Sequence, residues 1–223
     1  MAAREPLNKE RFPRRKDTIM IIDLHTHEYL HSACARMSLE EAVTAARHSG
    51  LDGICITNHD SLGIRYAEYL RTADFPVFVG VEFFTNEGDI IAFGLEHLPS
   101  QPIGAQKFID FVAGQGGFCF AAHPFRRYGG GLGKHIYAMK NLSGVEVLNG
   151  ANLDAANLEA VQACEDMGLI PVGGSDAHFI HEVGLCATWF PERITSEQEL
   201  LAALKSGNCR PVVKTGDRKW TNY

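Results

Sequence analysis

Long apolar runs are missing from this 223-residue sequence. No stretch reaches the roughly 18 consecutive apolar residues that a membrane-spanning helix needs, and the first residues do not form the apolar segment of a signal peptide. The six cysteines are scattered, and no two of them have the Cys-x-x-Cys spacing of a zinc knuckle. This scatter also disfavours a disulfide framework. Together these absences predict a cytoplasmic protein with reduced thiols and no membrane partner.

An excess of positive charge is missing as well. The chain has 21 lysines and arginines against 27 acidic residues, for a formal net charge of −6, and its basic and aromatic residues form no common stripe. A nucleic-acid-binding face is therefore not expected as the main feature. No Pro/Ser-rich linker divides the chain, so we predict one domain over residues 20–223. Residues 1–19 are polar and basic, which predicts a disordered, solvated extension, with a phosphate- or nucleic-acid-binding arm as the alternative.

Strand-type and helix-type segments alternate about seven times after residue 20, which favours an α/β fold whose parallel strands close into a barrel. Capping-box patterns open two of the helices, at Ser38-Leu-Glu-Glu41 and Thr195-Ser-Glu-Gln198. Residues 89–94 are expected to pair beside the strand at 76–83 across a turn. Further strands are predicted at 53–57, 117–122, 144–148, 169–173, 185–190 and 210–213, and further helices at 64–71, 104–115 and 153–167.

The first strand-type run ends in two histidines, in the stretch Met20-Ile-Ile-Asp-Leu-His25-Thr-His27. Side chains at positions i and i+2 of an extended chain point to the same side, so both imidazoles can reach one ion. Because one ion takes about four to six donors, the pair indicates a metal site only if further ligands follow at other strand ends.

Further metal-type residues do follow predicted strands, so that five of the ten histidines lie at strand ends. The additional residues are His59, Glu82, His123, Asp176 and His178. In a barrel these positions face one end. Taken singly, each has an ordinary interpretation, since a His-Pro pair is often a turn and a His-x-His pair often binds nothing. Their joint placement favours a metal centre. Glu82 lies at the end of an apolar strand, and its carboxylate needs a counter-charge if it is buried.

Five short motifs occur in a fixed order along the chain: Asp23-Leu-His-Thr-His27, Ile56-Thr-Asn-His-Asp60, Gly80-Val-Glu82, Ala122-His-Pro124 and Ser175-Asp-Ala-His178. In this order they resemble the signature of the PHP (polymerase and histidinol phosphatase) family of metal-dependent phosphoesterases. The resemblance covers roughly residues 20–213. It implies an α/β fold of the distorted (β/α)7 barrel type, with the metal site at the C-terminal ends of the strands.

The same resemblance implies two or three divalent ions. Zinc, manganese or iron suits a mixed set of nitrogen and oxygen ligands, whereas magnesium alone prefers oxygen. Glu82 is implied as a bridging carboxylate, and Glu82, Asp176 and His178 are implied as catalytic residues. The implied ligands are His25, His27, His59, Glu82, His123, Asp176 and His178.

The chain departs from the family pattern at two positions that bear on a third ion. Many members carry a Ser-Asp-Gly or a further histidine shortly after His-x-His, where this chain offers His31. Members also often carry a histidine in the strand after the glutamate, where this chain has Asp89. Both residues are candidate ligands, and the alternative for Asp89 is to cap the Glu87-Gly88 turn. A third ion depends on them.

Substrate contacts are expected from the loop that follows His123. Arg126 and Arg127 can fork onto phosphate oxygens, with solvated loop charges as the alternative. The glycines at 129–131 are typical of a hinge, which predicts a lid. Asn149 follows a strand and is a candidate contact in the pocket, whereas Glu146 in the same strand is as readily a structural partner.

These features predict a phosphoesterase that hydrolyses small phosphomonoesters, such as a nucleotide or a phosphorylated metabolite, with water activated by two ions about 3.5–4 Å apart. An exonuclease or phosphodiesterase acting on short oligonucleotides is the alternative within the hydrolases. A metal-dependent amidohydrolase is disfavoured because no lysine ends a strand near the motifs. A non-catalytic, metal-stabilised domain stays open, and the sequence predicts no oligomeric state.

Overall fold

The computed structural model of the protein describes residues 19–66, 75–100, 103–216 and 219–223. The basic extension predicted for residues 1–19 lies outside these residues except for Ile19. The helix predicted at 64–71 lies partly outside them, and its described part is a short 3-10 helix, Gly63–Tyr66. Across the described ranges, no helix is both long and apolar enough to cross a membrane.

One mixed sheet contains ten strands of the described chain. They are β1 Met20–Asp23, β2 Gly53–Ile56, β3 Val77–Phe84, β4 Asp89–Phe93, β5 Phe118–Ala121, β6 Gly144–Asn149, β7 Ile170–Gly174, β8 Cys186–Phe190, β9 Arg210–Lys214 and β10 Trp220–Asn222. Their order in the sheet is β10-β9-β8-β1-β2-β3-β4-β5-β6-β7. Strand β10 lies in a segment for which the sequence predicted nothing.

The alternation of segments had predicted a sheet of parallel strands, but the observed sheet is mixed. Strands β1–β2–β3 and β5–β6–β7 form two parallel blocks, and β4 runs antiparallel between them. Strands β8, β9 and β10 add an antiparallel extension beside β1. The hairpin of β3 and β4 is the one predicted from residues 76–94. Because β4 starts where β3 ends, its first residue lies at the same end as the ends of the parallel strands.

The sheet is strongly curved, so that the segment after β7 lies next to the segment after β1. Past the end of β1, the His27 amide donates to the Ala177 carbonyl at 3.0 Å, and the Asp176 amide donates to the His25 carbonyl at 2.8 Å. Thr26 and Ala177 form a parallel bridge there. Seven strands thus surround one interior, and the half-barrel is joined at the end that carries the predicted ligands. The predicted fold class, an α/β fold closed into a distorted barrel, is confirmed.

Four α-helices lie in the described residues: α1 Leu39–Ser49, α2 Ala105–Gly114, α3 Asp154–Met167 and α4 Glu197–Ser206. The capping box predicted at Ser38 is confirmed, since its hydroxyl accepts from the Glu41 amide at 3.1 Å. The box predicted from Thr195 is wrong by one residue. Ser196 is the N-cap of α4, because its hydroxyl accepts from the Glu199 amide at 3.2 Å and the Glu199 carboxylate accepts from the Ser196 amide at 3.1 Å.

The barrel interior is filled by alternate side chains of the strands. Ile22, Phe93, Phe120 and Val172 belong to one buried cluster, which Leu204 of α4 also joins. Residues two apart in a strand share a face, so the row that contains Phe78 continues towards the site as Glu82. Glu82 pairs across the ladder with Ile91 of the same cluster. The interior therefore changes from apolar to ionisable towards the end of the strands.

Candidate metal centre

All seven predicted ligands lie at one end of the barrel. His25 and His27 follow β1, His59 follows β2, His123 follows β5, and Asp176 and His178 follow β7. Glu82 lies inside β3, near its end, and the strand predicted at 76–83 already contained it. Pairing with β4 extends β3 one residue beyond that prediction, to Phe84.

The central group consists of His25, His27, Glu82 and Asp176, all buried. The Nε2 atoms of the two histidines are 3.1 Å apart. Each lies 3.2 or 3.3 Å from Glu82 Oε2 and from Asp176 Oδ1. Four donors bound about 2.1 Å from one tetrahedral ion lie about 3.4 Å from one another. The spacing of these donors therefore fits one divalent ion.

Two oxygens of the central group lack hydrogen-bond partners within the described chain, although they are buried. They are Glu82 Oε2 and Asp176 Oδ1, the two atoms that face the histidine nitrogens. A buried polar atom without a partner is costly in free energy, so these oxygens require a cation. This requirement is independent evidence that the group fits a metal ion.

The electrostatics of the central group favour a cation as well. Burial would raise the pKa of the Glu82 carboxyl, yet His25 and His123 hold that pKa well below its usual range. Burial likewise opposes ionisation of Asp176, yet His25 and His27 hold its pKa low. Burial disfavours a charged His25, but Asp176 and Glu146 raise its pKa well above the usual value. Both carboxylates are thus ionised and attract positive charge.

A second set of donors, the inner group, consists of Glu82, Asp89 and His123. His123 Nε2 lies 2.7 Å from Glu82 Oε1 and 4.0 Å from Asp89 Oδ2. Asp89 was a candidate from the sequence, and the structure brings it to the centre. Burial, with the nearby charge of Glu82, raises the pKa of the Asp89 carboxyl to about 7. Since Glu82 offers one oxygen to each group, it has the geometry of a bridging carboxylate.

A third set, the outer group, consists of His27, His59 and His178. The ring of His27 lies 4.6 Å from that of His59 and 4.5 Å from that of His178, between centroids. The side chains of His59 and His178 are 39% and 23% exposed. Partial burial lowers the pKa of His59 to about 4, so its imidazole is a neutral donor.

His31 belongs to none of these three groups among the described residues. Its Nδ1 lies 2.6 Å from Oε1 of the buried Glu28, which also accepts from Asn58 Nδ2 at 2.8 Å. His31 therefore helps to fix the loop after β1. Its ligand role stays a prediction that this geometry does not support, and the ligand roles of the grouped residues remain predictions that the geometry favours.

Two grouped residues have the left-handed backbone conformation that side chains rarely adopt. The φ angle is +30° at His123 and +56° at Asp176. Such a conformation costs on the order of 1–3 kcal/mol and persists where the surrounding structure determines it. Both residues lie directly after a strand, where the chain turns sharply and carries the side chain into the barrel mouth.

An open cleft of about 310 Å³ adjoins the centre and is lined by Cys34, Arg126, Ala151, Asp176, His178, Phe179 and Glu182. Arg126 pairs with Asp176 Oδ2 and also faces Asn149 Oδ1 at 3.4 Å. Asn149 is buried and donates to Glu146 Oε2 at 2.9 Å, so it positions other side chains instead of facing the cleft. Arg127 is exposed and lines a smaller adjoining pocket.

The glycine-rich segment 129–131 is attached to the barrel. The Asp89 amide donates to the Gly130 carbonyl at 2.6 Å, and the Gly133 amide donates to the Pro124 carbonyl at 2.7 Å. A Cβ atom at Gly130 would overlap the Asp89 carboxylate. The glycine is thus required for close packing over the inner group, and the lid predicted from this segment stays a prediction.

Sequence reasoning left Glu146 as a pocket contact or a structural partner, and the structure places it against His25 and the His123 amide. The signal was present, because Glu146 is an acidic residue inside an apolar strand, as Glu82 is. Asp23 was treated only as part of a motif. Burial raises its pKa to about 6, and its carboxylate accepts from the amides of Ser175 and Gly184 at 2.9 and 3.0 Å, so it ties β1 to the loop after β7.

Comparison with known proteins agrees with this architecture. A family model described as PHP-associated matches residues 154–209. An uncharacterized protein of Methanocaldococcus jannaschii is 29% identical over 111 residues, which are 49% of this chain and 64% of that protein. The chain thus spans slightly less than two thirds of that relative.

Three solved structures share the fold at lower identity. PsfC from Pseudomonas syringae is 20% identical with a TM-score of 0.71, covering 90% of this chain and 94% of that one. A two-domain Bacteroides vulgatus protein containing a predicted PHP-like metal-dependent phosphoesterase is 20% identical with a TM-score of 0.68, covering 94% and 69%. The lesion-specific endonuclease EndoQ of Pyrococcus furiosus is 17% identical with a TM-score of 0.65, covering 84% and 56%.

The fold and the site define an α/β barrel with a buried histidine–carboxylate centre at its mouth. The predicted resemblance to the PHP family is confirmed, because a PHP-associated family model matches residues 154–209 and the fold is similar to that of a protein containing a predicted PHP-like metal-dependent phosphoesterase.

Proposed function

We propose that this chain is a metal-dependent phosphoesterase that hydrolyses small phosphomonoesters. The observation that supports it is the double use of Asp176. Its Oδ1 faces His25 and His27 in the central group, whereas its Oδ2 pairs with Arg126 on the wall of the cleft. An anion that binds Arg126 therefore lies against the metal centre.

Different side chains of the cleft are proposed to contact the phosphate and the organic part of the substrate. Arg126 offers its guanidinium to phosphate oxygens, for which a planar fork of donors is suited. Asn149 and Asn152 accept from the same guanidinium at 3.4 and 3.3 Å and fix its direction. Phe179 is 45% exposed and forms an apolar part of the cleft wall, on which the organic part of an ester can pack.

The proposed reaction consumes one water. Its oxygen forms a new bond to phosphorus, the bond from phosphorus to the alcohol oxygen breaks, and a proton of the water goes to the alcohol. When bound, divalent ions supply the Lewis acidity that activates the water and screens the phosphate charge. Glu82, Asp176 and His178 are the catalytic residues of this proposal, since they would hold those ions against the substrate.

We propose that two ions occupy the central and inner groups and that a third would be held by His59 and His178 of the outer group, since the one lone pair of a neutral His27 serves the central ion. Zinc, manganese or iron is favoured, because each group mixes imidazole nitrogen with carboxylate oxygen or consists of imidazoles alone. The cytoplasmic location stays a prediction; all six cysteines are free.

Metal analysis and a substrate screen test the proposal. The purified protein is expected to contain divalent metal and to release phosphate from phosphomonoesters with Mn²⁺ or Zn²⁺ added. His25→Ala is expected to lose both metal and activity, whereas His97→Ala, which removes an exposed histidine that contacts Phe111, is expected to keep both. A wild-type protein without bound metal, or a fully active His25→Ala variant, would refute the proposal.

The role of Arg126 has its own test. Arg126→Ala is expected to raise the KM for phosphate esters about tenfold or more, while metal content is retained. Arg193→Ala is the matched control, since Arg193 follows β8, whose end Phe190 pairs with Met20 at the opposite end of the barrel. Unchanged kinetics in Arg126→Ala would contradict the assignment.

A phosphodiesterase acting on short oligonucleotides is the second candidate. The observation in its favour is the smaller pocket lined by Arg127 and Tyr128, which shares Arg126 and Ala151 with the main cleft. The smaller pocket, of about 20 Å³, does not hold a nucleotide, but its exposed Arg127 can contact the phosphate that neighbours the one at Arg126. Faster cleavage of dinucleotides than of phosphomonoesters, together with a loss of that preference in Arg127→Ala, would favour this candidate.

A further inference from the structure

Glu146 is a fully buried carboxylate beside the central group. Its Oε1 lies 2.9 Å from His25 Nδ1. Its Oε2 accepts from the His123 amide at 2.8 Å and from Asn149 Nδ2 at 2.9 Å. Both oxygens therefore have partners, unlike Glu82 Oε2 and Asp176 Oδ1. The Glu146 carboxylate is oriented towards protein donors, and it needs no ion to satisfy it.

This contact determines which nitrogen of His25 can bind an ion. A neutral imidazole carries one proton, so one ring nitrogen donates while the other has a free lone pair. An ionised carboxylate only accepts, and the one next to Nδ1 favours the tautomer with the proton on Nδ1. The lone pair of Nε2 is then directed to the central group, where Nε2 lies 3.2 Å from Asp176 Oδ1.

We propose that Glu146 is a positioning residue of the metal centre: it selects the His25 tautomer that binds through Nε2 and holds the His123 loop in place. The inference rests on the proposed function, because the ion is the one proposed above. Carboxylates that accept from a metal-bound histidine typically strengthen metal binding.

Glu146 also connects ligands that come from three different strand ends. His25 follows β1, and His123 follows β5 with an uncommon positive φ of 30°. Asn149, which Glu146 holds, faces Asp176 Oδ2 at 3.4 Å after β7. Loss of this carboxylate should therefore weaken ion binding in both the central and the inner group.

The test is Glu146→Gln, which keeps the size of the side chain. A glutamine has one acceptor oxygen, and it faces donors on both sides. If its oxygen takes the His123 and Asn149 donors, its NH₂ group points at His25 Nδ1 and favours the wrong tautomer. We expect about 10- to 100-fold weaker binding of Zn²⁺, measured on the apo-protein by competition with a chromophoric chelator.

Glu28→Gln is the matched control. Glu28 is equally buried, but its carboxylate accepts from Asn58 and His31, outside the three donor groups. It is expected to bind Zn²⁺ as the wild type does, even if both variants unfold more readily. Wild-type affinity in a folded Glu146→Gln variant would overturn the inference.

A measurement on the wild type keeps the inference testable if Glu146→Gln does not fold. In the zinc-loaded protein, ¹⁵N–¹H correlation spectra of the imidazoles should show His25 bound through Nε2 with a proton on Nδ1. Binding through Nδ1, or an Nδ1 proton absent, would refute it. A wild type that binds no metal would instead refute the proposed function, so the two failures are distinguishable.

Discussion

The central and outer groups differ in burial and in charge, although they share His27. Every member of the central group is at most 2% exposed, and two of the four are carboxylates. The outer group has no carboxylate, and its His59 and His178 are 39% and 23% exposed. Positive charge is thus favoured in the central group by two nearby anions and a low dielectric. We expect its ion to bind tightly and the outer ion to exchange readily.

The residues that hold the histidines in place also differ between the central and the outer group. In the central group, His25 contacts Glu146 at 2.9 Å, and Asp23 accepts from the His25 amide at 3.2 Å. In the outer group, His59 Nδ1 lies 3.2 Å from Glu82 Oε2 and His178 Nδ1 lies 3.6 Å from Asp176 Oδ1, so the nearest carboxylates are those of the central group. A fully buried histidine with its own carboxylate partner is restrained more strongly than partly exposed histidines at such contacts. The comparison therefore predicts an order of sensitivity to mutation.

Removal of the shared carboxylate should have the largest effect. Glu82→Ala removes one charged oxygen from each of the central and inner groups, so we expect the protein to lose both ions. The value of kcat/KM should fall by about 1000-fold or more, because bound metal supplies several kcal/mol of transition-state stabilisation. Metal content by mass spectrometry and phosphate release measure the two effects. Loss of one ion only would show that Glu82 does not bridge.

His25→Ala and His59→Ala compare the two groups directly. His25→Ala should empty the central group and abolish activity, whereas His59→Ala should remove only the exchangeable outer ion and lower kcat/KM about tenfold. Addition of excess Mn²⁺ should restore His59→Ala but not His25→Ala. Equal losses in the two variants, without rescue of either, would contradict the predicted difference in affinity.

The positions of most strands along the chain and the end of the barrel that carries the centre could be predicted from the sequence, because the ligands lie at the ends of apolar runs. Asp89 could be named as a candidate because the predicted hairpin of β3 and β4 brings the first residue of β4 back to the same end. The order of the strands in the sheet and the division of the ligands into three groups could not be predicted. His31 lies three residues beyond Glu28, and its contact with that carboxylate depends on a loop that sequence periodicity does not describe.

Backbone strain was also beyond sequence reasoning. Nothing in the composition around His123 or Asp176 indicates a positive φ, since glycine is the usual residue there. The strand predicted at 76–83 ends one residue short of β3, because pairing with β4 extends the strand to Phe84.

Gly130→Ala should affect the inner group more than the rest of the centre. A methyl group there would overlap the Asp89 carboxylate, so we expect loss of the inner ion, together with the destabilisation of about 1–2 kcal/mol that a positive φ causes in a residue other than glycine. Gly129→Ala is the control, because Gly129 also has a positive φ, of 103°, but nothing lies within 4 Å of its added Cβ. Metal content separates the two variants, whereas thermal unfolding should show a similar loss of stability in both. A Gly129→Ala variant that loses the same ion would indicate that backbone strain alone is responsible.

The smallest effect is expected on the wall of the cleft, which touches substrate but holds no ion. Phe179→Ala should raise the KM for an aromatic phosphomonoester about 2- to 10-fold, since aromatic stacking contributes about 0.5–1.5 kcal/mol. The KM for glycerol phosphate and the metal content should stay unchanged. Ile180→Ala is the control, because Ile180 is similarly exposed, at 48%, but does not line the cleft. If both esters lose affinity equally, Phe179 supports the adjacent His178 instead, and the outer group depends on the cleft wall.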